Sequence, residues 1–200
     1  MNTRNVLIVA VLAATLGGIA GLLVSGPGPL WRSALGQRML GGALDADAPP
    51  PPPGVAVAKP GEPIPPLRLP DLDNRMVAVP GTWRGRPLLI NVWASWCGPC
   101  IEEMPELQRF SATQGTDGVQ VIGIALDQPA AVHEFLTRVP VRYPILIDVP
   151  GTADASVRLG NLKGVLPYSV LIGADGRLIK KRIGPFVPGE LDDFAIAARR

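Results

Sequence analysis

Cysteine and histidine are scarce in this chain, which has 2 cysteines and 1 histidine among 200 residues. A fold held together by disulfides needs several spaced cysteines, and a zinc site needs four ligands. The two cysteines, Cys97 and Cys100, would close so small a loop that their bond constrains the unfolded chain very little. Chemistry therefore explains the pair better than stability does, and a zinc site or an unreactive buried pair are the weaker alternatives. His133 is expected on the surface, and no metal or cofactor is predicted.

A strong excess of one charge is also lacking. The formal net charge is +2, and charged residues make up 18% of the chain. No basic stripe typical of a nucleic-acid-binding protein is present, so no nucleic-acid partner is predicted. The basic cluster of Lys180, Lys181 and Arg182 is interpreted as a solvated strand end, and the pair at 199–200 as a charged tail.

Charged residues are missing altogether from residues 6–24, VLIVAVLAATLGGIAGLLV. At about 1.5 Å per residue, a helix of this length just crosses a hydrocarbon core of about 30 Å. A cleaved signal peptide is the alternative, but its apolar stretch is normally shorter and ends at a better cleavage site. We therefore predict a cytoplasmic tail at 1–5 and an inner-membrane anchor at 6–24, with the rest of the chain in the periplasm. Trp31 is expected at the membrane interface.

Proline is concentrated in an unbroken run at 49–53, which favours an extended polyproline II conformation. We predict a proline-rich linker over residues 25–60, which is either a spacer of defined length or an ordinary disordered tether. The folded domain is then expected over residues 61–200.

Apolar runs alternate with amphipathic segments within that domain. A continuous apolar run such as LLINVW at 88–93 is typical of a buried central strand. The predicted strands span 67–72, 76–79, 88–93, 120–126, 143–147, 168–172 and 178–183, and the predicted helices span 98–113, 130–138, 153–159 and 190–200. This order, with a hairpin at each end of the series, predicts an α/β fold with a mixed sheet covered on both faces. Trp83 and Trp93 are expected in its core.

The sequence around the two cysteines predicts thiol–disulfide chemistry. A buried strand leads directly into Cys97, and the electropositive start of the following helix should lower the pKa of this thiol. Cys97 is then the nucleophile, and Cys100, one turn further on, can attack a mixed disulfide and release the substrate. Gly98 allows a partner to approach closely, and Pro99 suits the first turn because its missing N–H needs no partner there. Trp96 is expected to cover the reactive sulfur and to contact partners.

The segment WCGPC at 96–100 resembles thioredoxin, and NVWASWCGPCIEEMPEL at 91–107 resembles a membrane-anchored branch of the thioredoxin-like proteins. This branch comprises the extracytoplasmic TlpA-like and cytochrome c maturation proteins. The resemblance covers residues 61–200 and implies a thioredoxin fold. Pro105 matches the proline that bends the first long helix of the family, as proline does within a helix.

The same resemblance implies a substrate-binding backbone segment. Pro167, in GVLPYSV at 164–170, matches the family's cis-proline that faces the cysteines. A cis bond there would leave the backbone of Leu166 free to pair with an extended substrate segment. An ordinary trans proline that opens a strand is the alternative.

The resemblance also implies a proton acceptor. Asn91 stands where cytosolic thioredoxins have a buried aspartate, and Glu103 matches a glutamate of the extracytoplasmic branch. Cys100 and Glu103 share a helix face, so Glu103 could take the proton of Cys100. Burial would raise the pKa of Glu103, which suits this role. An exposed glutamate is the alternative, and Glu102 is expected at the surface.

The predicted function is a protein disulfide reductase. By resemblance, its substrate is a periplasmic protein such as an apocytochrome c or a copper-delivery protein. A membrane electron donor of the thiol-disulfide interchange type would then re-reduce the cysteine pair. Two alternatives remain: a peroxidase of the same fold, although no peroxidatic cysteine motif is visible, and a membrane-tethered module that binds a partner without turnover.

Overall fold

The computed structural model describes residues 48–199. The predicted tail, the anchor at 6–24, Trp31 and the first part of the linker lie outside these residues. Within 48–199 no helix is long and apolar enough to span a membrane. Residues 48–62 contain no helix or strand, and Ala58, which is buried, donates its N–H to the Arg158 carbonyl over 2.8 Å.

Strands and helices alternate along the described chain. The strands are β1 (Leu67–Pro70), β2 (Met76–Val79), β3 (Leu88–Trp93), β4 (Gln120–Leu126), β5 (Ile145–Asp148), β6 (Tyr168–Ile172) and β7 (Leu178–Ile183). The helices are α1 (Gly98–Thr113), α2 (Pro129–Arg138), α3 (Ala155–Arg158) and α4 (Glu190–Ala195), with short 3₁₀ helices at Gly81–Trp83 and Ile196–Arg199.

Several predicted bounds are corrected for local reasons. Strand β5 begins two positions later than predicted, after Pro144, which has no N–H to donate to a sheet. Helix α3 is shorter than predicted because the side chain of Asp154 caps its start and Gly160, with φ of 103°, follows its end. The last helix changes to a 3₁₀ turn after Ala195, as helix ends often do.

The predicted mixed sheet is confirmed. Its strand order is β5-β4-β3-β6-β7, with β3 parallel to β4 and antiparallel to β6. Strands β1 and β2 form the predicted antiparallel hairpin as a separate two-stranded sheet. The carboxyl ends of β3, β4 and β5 therefore meet at one edge of the sheet, beside the start of β6.

Apolar side chains fill both faces of the sheet. Alternate residues of β3 enter different clusters, so Leu89 and Trp93 pack on one face while Ile90 and Val92 pack on the other. The first cluster also contains both cysteines. Trp93 is fully buried as predicted, but Trp83 is only partly buried at the margin of the second cluster, because it lies in a surface 3₁₀ turn.

Candidate active site

The two cysteines lie at the start of helix α1 and are joined by a disulfide bond. Cys97 caps the helix, and its carbonyl accepts the N–H groups of Cys100 at 3.1 Å and Ile101 at 3.2 Å. Cys97 keeps 5% of its surface exposed and Cys100 keeps none, whereas Gly98 and Pro99 between them are exposed. An approaching thiol therefore reaches Cys97 before Cys100.

The loop that carries Cys97 is tied to the end of the neighbouring strand. Asp127, which follows β4, accepts hydrogen bonds through Oδ2 from the backbone N–H and the hydroxyl of Ser95. Trp96 lies between this anchor and Cys97, with 70% of its surface exposed. Its ring is therefore available to a partner, and its predicted contact with partners stays a prediction. The link between Ser95 and Asp127 was not predicted, because nothing in the spacing of these residues indicates it.

The peptide bond between Leu166 and Pro167 is cis, as predicted. Leu166 packs against the apolar cluster that contains the cysteines. Its N–H and carbonyl have no hydrogen-bond partner among the described residues, while the Pro167 carbonyl accepts the Gly184 N–H over 2.9 Å. The backbone of Leu166 is thus able to pair with another chain. A second cis bond, between Val79 and Pro80, was not predicted.

Glu103 is buried, with 1% of its surface exposed, and two groups hold its carboxylate. Asn91 Nδ2 donates to Oε1 over 2.7 Å, and the Phe186 N–H donates to Oε2 over 2.8 Å. Burial raises the pKa of Glu103 to about 7, although both hydrogen bonds and the positive charge of Arg182 act in the opposite direction. The raised pKa follows the expectation for a buried Glu103, and its role as proton acceptor stays a prediction. Glu102 is exposed, as predicted.

Tyr143 is a further polar group near this carboxylate. Burial raises the pKa of its phenol, and the negative charge of Glu103 adds to the effect. Its hydroxyl is buried without a hydrogen-bond partner in the part of the chain that the structure describes. Tyr143 was predicted only as part of a strand, since an isolated tyrosine carries no signal of a position near a buried carboxylate.

Two ion-pair clusters connect helix α4 and the loop before it to the rest of the domain. Glu106 accepts hydrogen bonds from Arg109 and from the Gly189 N–H, and Arg109 also pairs with Asp192. Arg182 pairs with Glu190 over 2.7 Å. The side chain of Arg182 is only 9% exposed, so the prediction that it belongs to a solvated strand end is wrong. Its contacts to the loop after β7 bury it.

No set of three or more histidine, cysteine, aspartate or glutamate side chains within residues 48–199 could hold a metal ion. His133 is exposed on helix α2, as predicted.

Comparison with known proteins identifies the family. A family model named Redoxin matches residues 59–198, which is most of the chain. The chain belongs to the Redoxin family.

Two relatives of this chain have names that state a thiol–disulfide activity. The thiol–disulfide oxidoreductase ResA of Bacillus cereus is 27% identical over 139 residues, which cover 67% of this chain and 75% of the relative. Sporulation thiol–disulfide oxidoreductase A of Bacillus subtilis is 24% identical over 148 residues, which cover 71% of this chain and 86% of the relative.

Solved structures show the same fold. A thioredoxin-related protein from Neisseria meningitidis serogroup B is 30% identical, with a TM-score of 0.58 over 66% of this chain and 98% of that protein. A thioredoxin family protein from Chlorobium tepidum TLS, described as a thiol:disulfide interchange protein, is 23% identical, with a TM-score of 0.57 over 72% of this chain and 97% of its own.

These findings confirm the thioredoxin-like fold and the resemblance to thiol–disulfide oxidoreductases that the segment at 91–107 implies. This Redoxin family member carries a Cys97–Cys100 pair of the kind that thiol–disulfide exchange requires. The predicted enzyme class, a thiol–disulfide oxidoreductase, is therefore confirmed.

Proposed function

We propose that this protein is an extracytoplasmic protein disulfide reductase that works through the dithiol of Cys97 and Cys100. The observation that carries the proposal is the position of this pair at the start of helix α1. Cys100 lies three residues before Glu103, a buried carboxyl group with a pKa of about 7. The disulfide in the structure is then the product of one turnover, and the enzyme must be reduced before the next.

The first step is attack by the Cys97 thiolate on a sulfur of the substrate disulfide. A bond forms between Cys97 and that sulfur, the substrate disulfide breaks, and the second substrate sulfur leaves as a thiolate that takes a proton from solvent. Cys97 takes this role because it is the more exposed sulfur and lies at the electropositive end of α1.

The second step releases the substrate. The Cys100 thiol gives its proton to the Glu103 carboxylate, and the Cys100 sulfur attacks Cys97. The bond between Cys97 and the substrate breaks, and the substrate sulfur leaves as a thiolate that takes a proton from solvent. The substrate is then fully reduced, and the enzyme pair is oxidised by two electrons. A carboxyl with a pKa near the working pH is suited to take this proton and to return it to solvent.

The substrate segment would pair with the free backbone of Leu166 beside Pro167, and Trp96, Gly98 and Pro99 would contact it. We expect a periplasmic substrate such as an apocytochrome c or a copper-delivery protein. The apolar segment at 6–24 supports an anchor in the inner membrane, where a donor of the thiol-disulfide interchange type would re-reduce the pair.

The first test is the reduction of insulin and the reduction potential of the full-length chain, purified in detergent and equilibrated with thiol redox buffers. A potential near that of thioredoxin, about −270 mV, supports a reductase. A potential near about −120 mV would make the protein a disulfide donor and reverse the electron flow. Failure to reduce insulin, together with intact docking to a partner, would instead favour the binding module.

A further inference from the structure

The Phe186 N–H is one of the two donors that hold the Glu103 carboxylate. Unlike Asn91, which lies within central strand β3, Phe186 belongs to the connection between β7 and α4, at residues 184–189. A backbone N–H in a loop keeps a fixed direction only if the residues beside it are themselves held. The position of this donor therefore depends on what fixes Pro185 and Val187.

One ion pair fixes both of these neighbours. Arg182 Nη2 donates to the Pro185 carbonyl over 2.8 Å and to Glu190 Oε2 over 2.7 Å. The same Glu190 oxygen accepts the Val187 N–H over 3.1 Å. The guanidinium of Arg182 also lies over the Phe186 ring, 4.5 Å from its centroid. The Arg182–Glu190 pair thus holds the residues on both sides of Phe186.

Stability alone is a weak explanation for this ion pair. The side chains of Arg182 and Glu190 are 9% and 24% exposed, and Arg182 Nε is buried without a partner among the described residues. An ion pair that is largely withdrawn from water gains little net stability, because the loss of hydration offsets much of the attraction between the charges. The pair does, however, hold Pro185 and Val187 by hydrogen bonds, and so keeps the Phe186 N–H pointed at Glu103. Apolar side chains could not make these hydrogen bonds.

We propose that Arg182 and Glu190 are positioning residues for Glu103, which keep the Phe186 N–H directed at its carboxylate while that group gains and loses a proton. This inference rests on the proposed function, in which Glu103 takes the proton of Cys100. The charged or titratable groups around Glu103 are Arg182 from β7 and Tyr143 before β5, with the two cysteines on its own helix.

Two conservative variants separate positioning from simple charge. Arg182→Lys keeps the positive charge but loses the planar, rigid guanidinium, which lies over the Phe186 ring while its Nη2 holds the Pro185 carbonyl and Glu190. Glu190→Gln removes a negative charge, so a through-space effect alone would lower the pKa of Glu103. It also replaces the charge-assisted bonds from Arg182 and the Val187 N–H by weaker bonds to a neutral amide oxygen, and the loosened loop would raise that pKa. Positioning therefore predicts a rise in the pKa of Glu103 in both variants, and charge alone predicts no rise in either.

The test measures the reduction potential of the full-length chain in detergent from pH 5 to pH 9, in thiol redox buffers. We expect an inflection near pH 7 in the unmodified protein that Glu103→Gln removes. Arg182→Lys and Glu190→Gln should each move this inflection to higher pH, and neither should change the profile in a Glu103→Gln background. Arg86→Lys, which changes a half-buried guanidinium that lies away from this loop and holds the Gly115 and Gly118 carbonyls, is the matched control and should leave the inflection in place.

The outcomes separate the two proposals. If Glu103→Gln leaves the profile of the unmodified protein unchanged, the proton role of Glu103 is wrong, and the positioning role is wrong with it. If Glu103→Gln removes the inflection but Arg182→Lys and Glu190→Gln leave it in place or lower it, the positioning role alone is wrong. A loss of thermal stability without a moved inflection also contradicts positioning.

Discussion

Asn91 Nδ2 donates to Glu103 Oε1 over 2.7 Å, so one buried hydrogen bond joins the centre of β3 to helix α1. The same Nδ2 donates to Ser169 Oγ over 3.0 Å, while Asn91 Oδ1 has no partner within the described residues. An amide neither gains nor loses a proton in the physiological pH range. The carboxyl of Glu103 is therefore the group in this cluster that can titrate near neutral pH.

Glu103→Gln should slow the release step and flatten its pH dependence. The carboxylate must be unprotonated to accept the proton of Cys100, so the rate in the unmodified protein should rise with pH and level off above about 7. Loss of a general base costs about 10²-fold or more. Release of a labelled peptide from its mixed disulfide with Cys97, followed by stopped flow from pH 5 to pH 9, measures this. An unchanged rate and profile in Glu103→Gln would contradict the role.

The oxidised protein should lose stability as the pH rises from about 4.5 to above 7. The folded-state pKa of Glu103 is raised from 4.5 to about 7, so its neutral form favours the folded state below pH 4.5, and this contribution is lost as the carboxyl ionises. At about 1.4 kcal/mol per pKa unit, the contribution is on the order of 3 kcal/mol. Urea unfolding of the disulfide form at pH 4.5 and pH 8 measures it. Glu103→Gln should reduce the difference between the two pH values, and an equal difference in both proteins would show that other groups cause it.

Most of the fold could be predicted from the sequence because its signals are local. Continuous apolar runs fixed the bounds of β3, β4 and β6, and Cys97 and Pro99 marked the start of α1. The resemblance to the family added the cis bond before Pro167, which no local pattern shows.

The contacts around Glu103 could not be predicted, because they join residues that are far apart in the sequence. The Phe186 N–H carries no side-chain signal, and Arg182 lies in a basic run that looks like an exposed strand end. Only the packing of the loop after β7 against α1 makes the first a donor to Glu103 and buries the second.

A substrate trap should distinguish the two cysteines. Cys97 keeps some exposed surface and Cys100 keeps none, so Cys97 should form the mixed disulfide. In Cys100→Ala nothing can release it, and the complex with a disulfide-containing protein should accumulate on a non-reducing gel. In Cys97→Ala no complex should form. Accumulation in Cys97→Ala alone would reverse the assignment of the nucleophile.

Asp127→Ala should slow the attack by Cys97 as well as destabilise the domain. Its side chain accepts hydrogen bonds from the N–H and the hydroxyl of Ser95, so its loss frees the loop that leads to Cys97. Unpaired donors of this kind cost about 1–3 kcal/mol of folding stability.

Asp148→Ala is the matched control, because Asp148 also follows buried strand residues and accepts the N–H groups of Val149 and Ala155. Both variants should lower the free energy of unfolding, but only Asp127→Ala should lower the rate of alkylation of the reduced protein at Cys97. Equal alkylation rates in the two variants would mean that the Ser95 anchor only stabilises the fold.

Trp96→Ala should weaken substrate binding without a loss of stability. The ring is 70% exposed in the free protein, so its removal takes little apolar surface out of the core. Its neighbour Cys97 forms the bond to the substrate, so a substrate segment that reaches this sulfur must pass close to the ring. A large aromatic side chain at the centre of an interface commonly contributes about 2 kcal/mol or more to binding. KM for a protein disulfide should therefore rise by about 10-fold or more, while the midpoint of thermal unfolding stays the same. Met76→Ala, which removes another exposed apolar side chain from strand β2, is the control and should leave KM unchanged. Equal KM values for Trp96→Ala and the unmodified protein would show that partners dock without this ring.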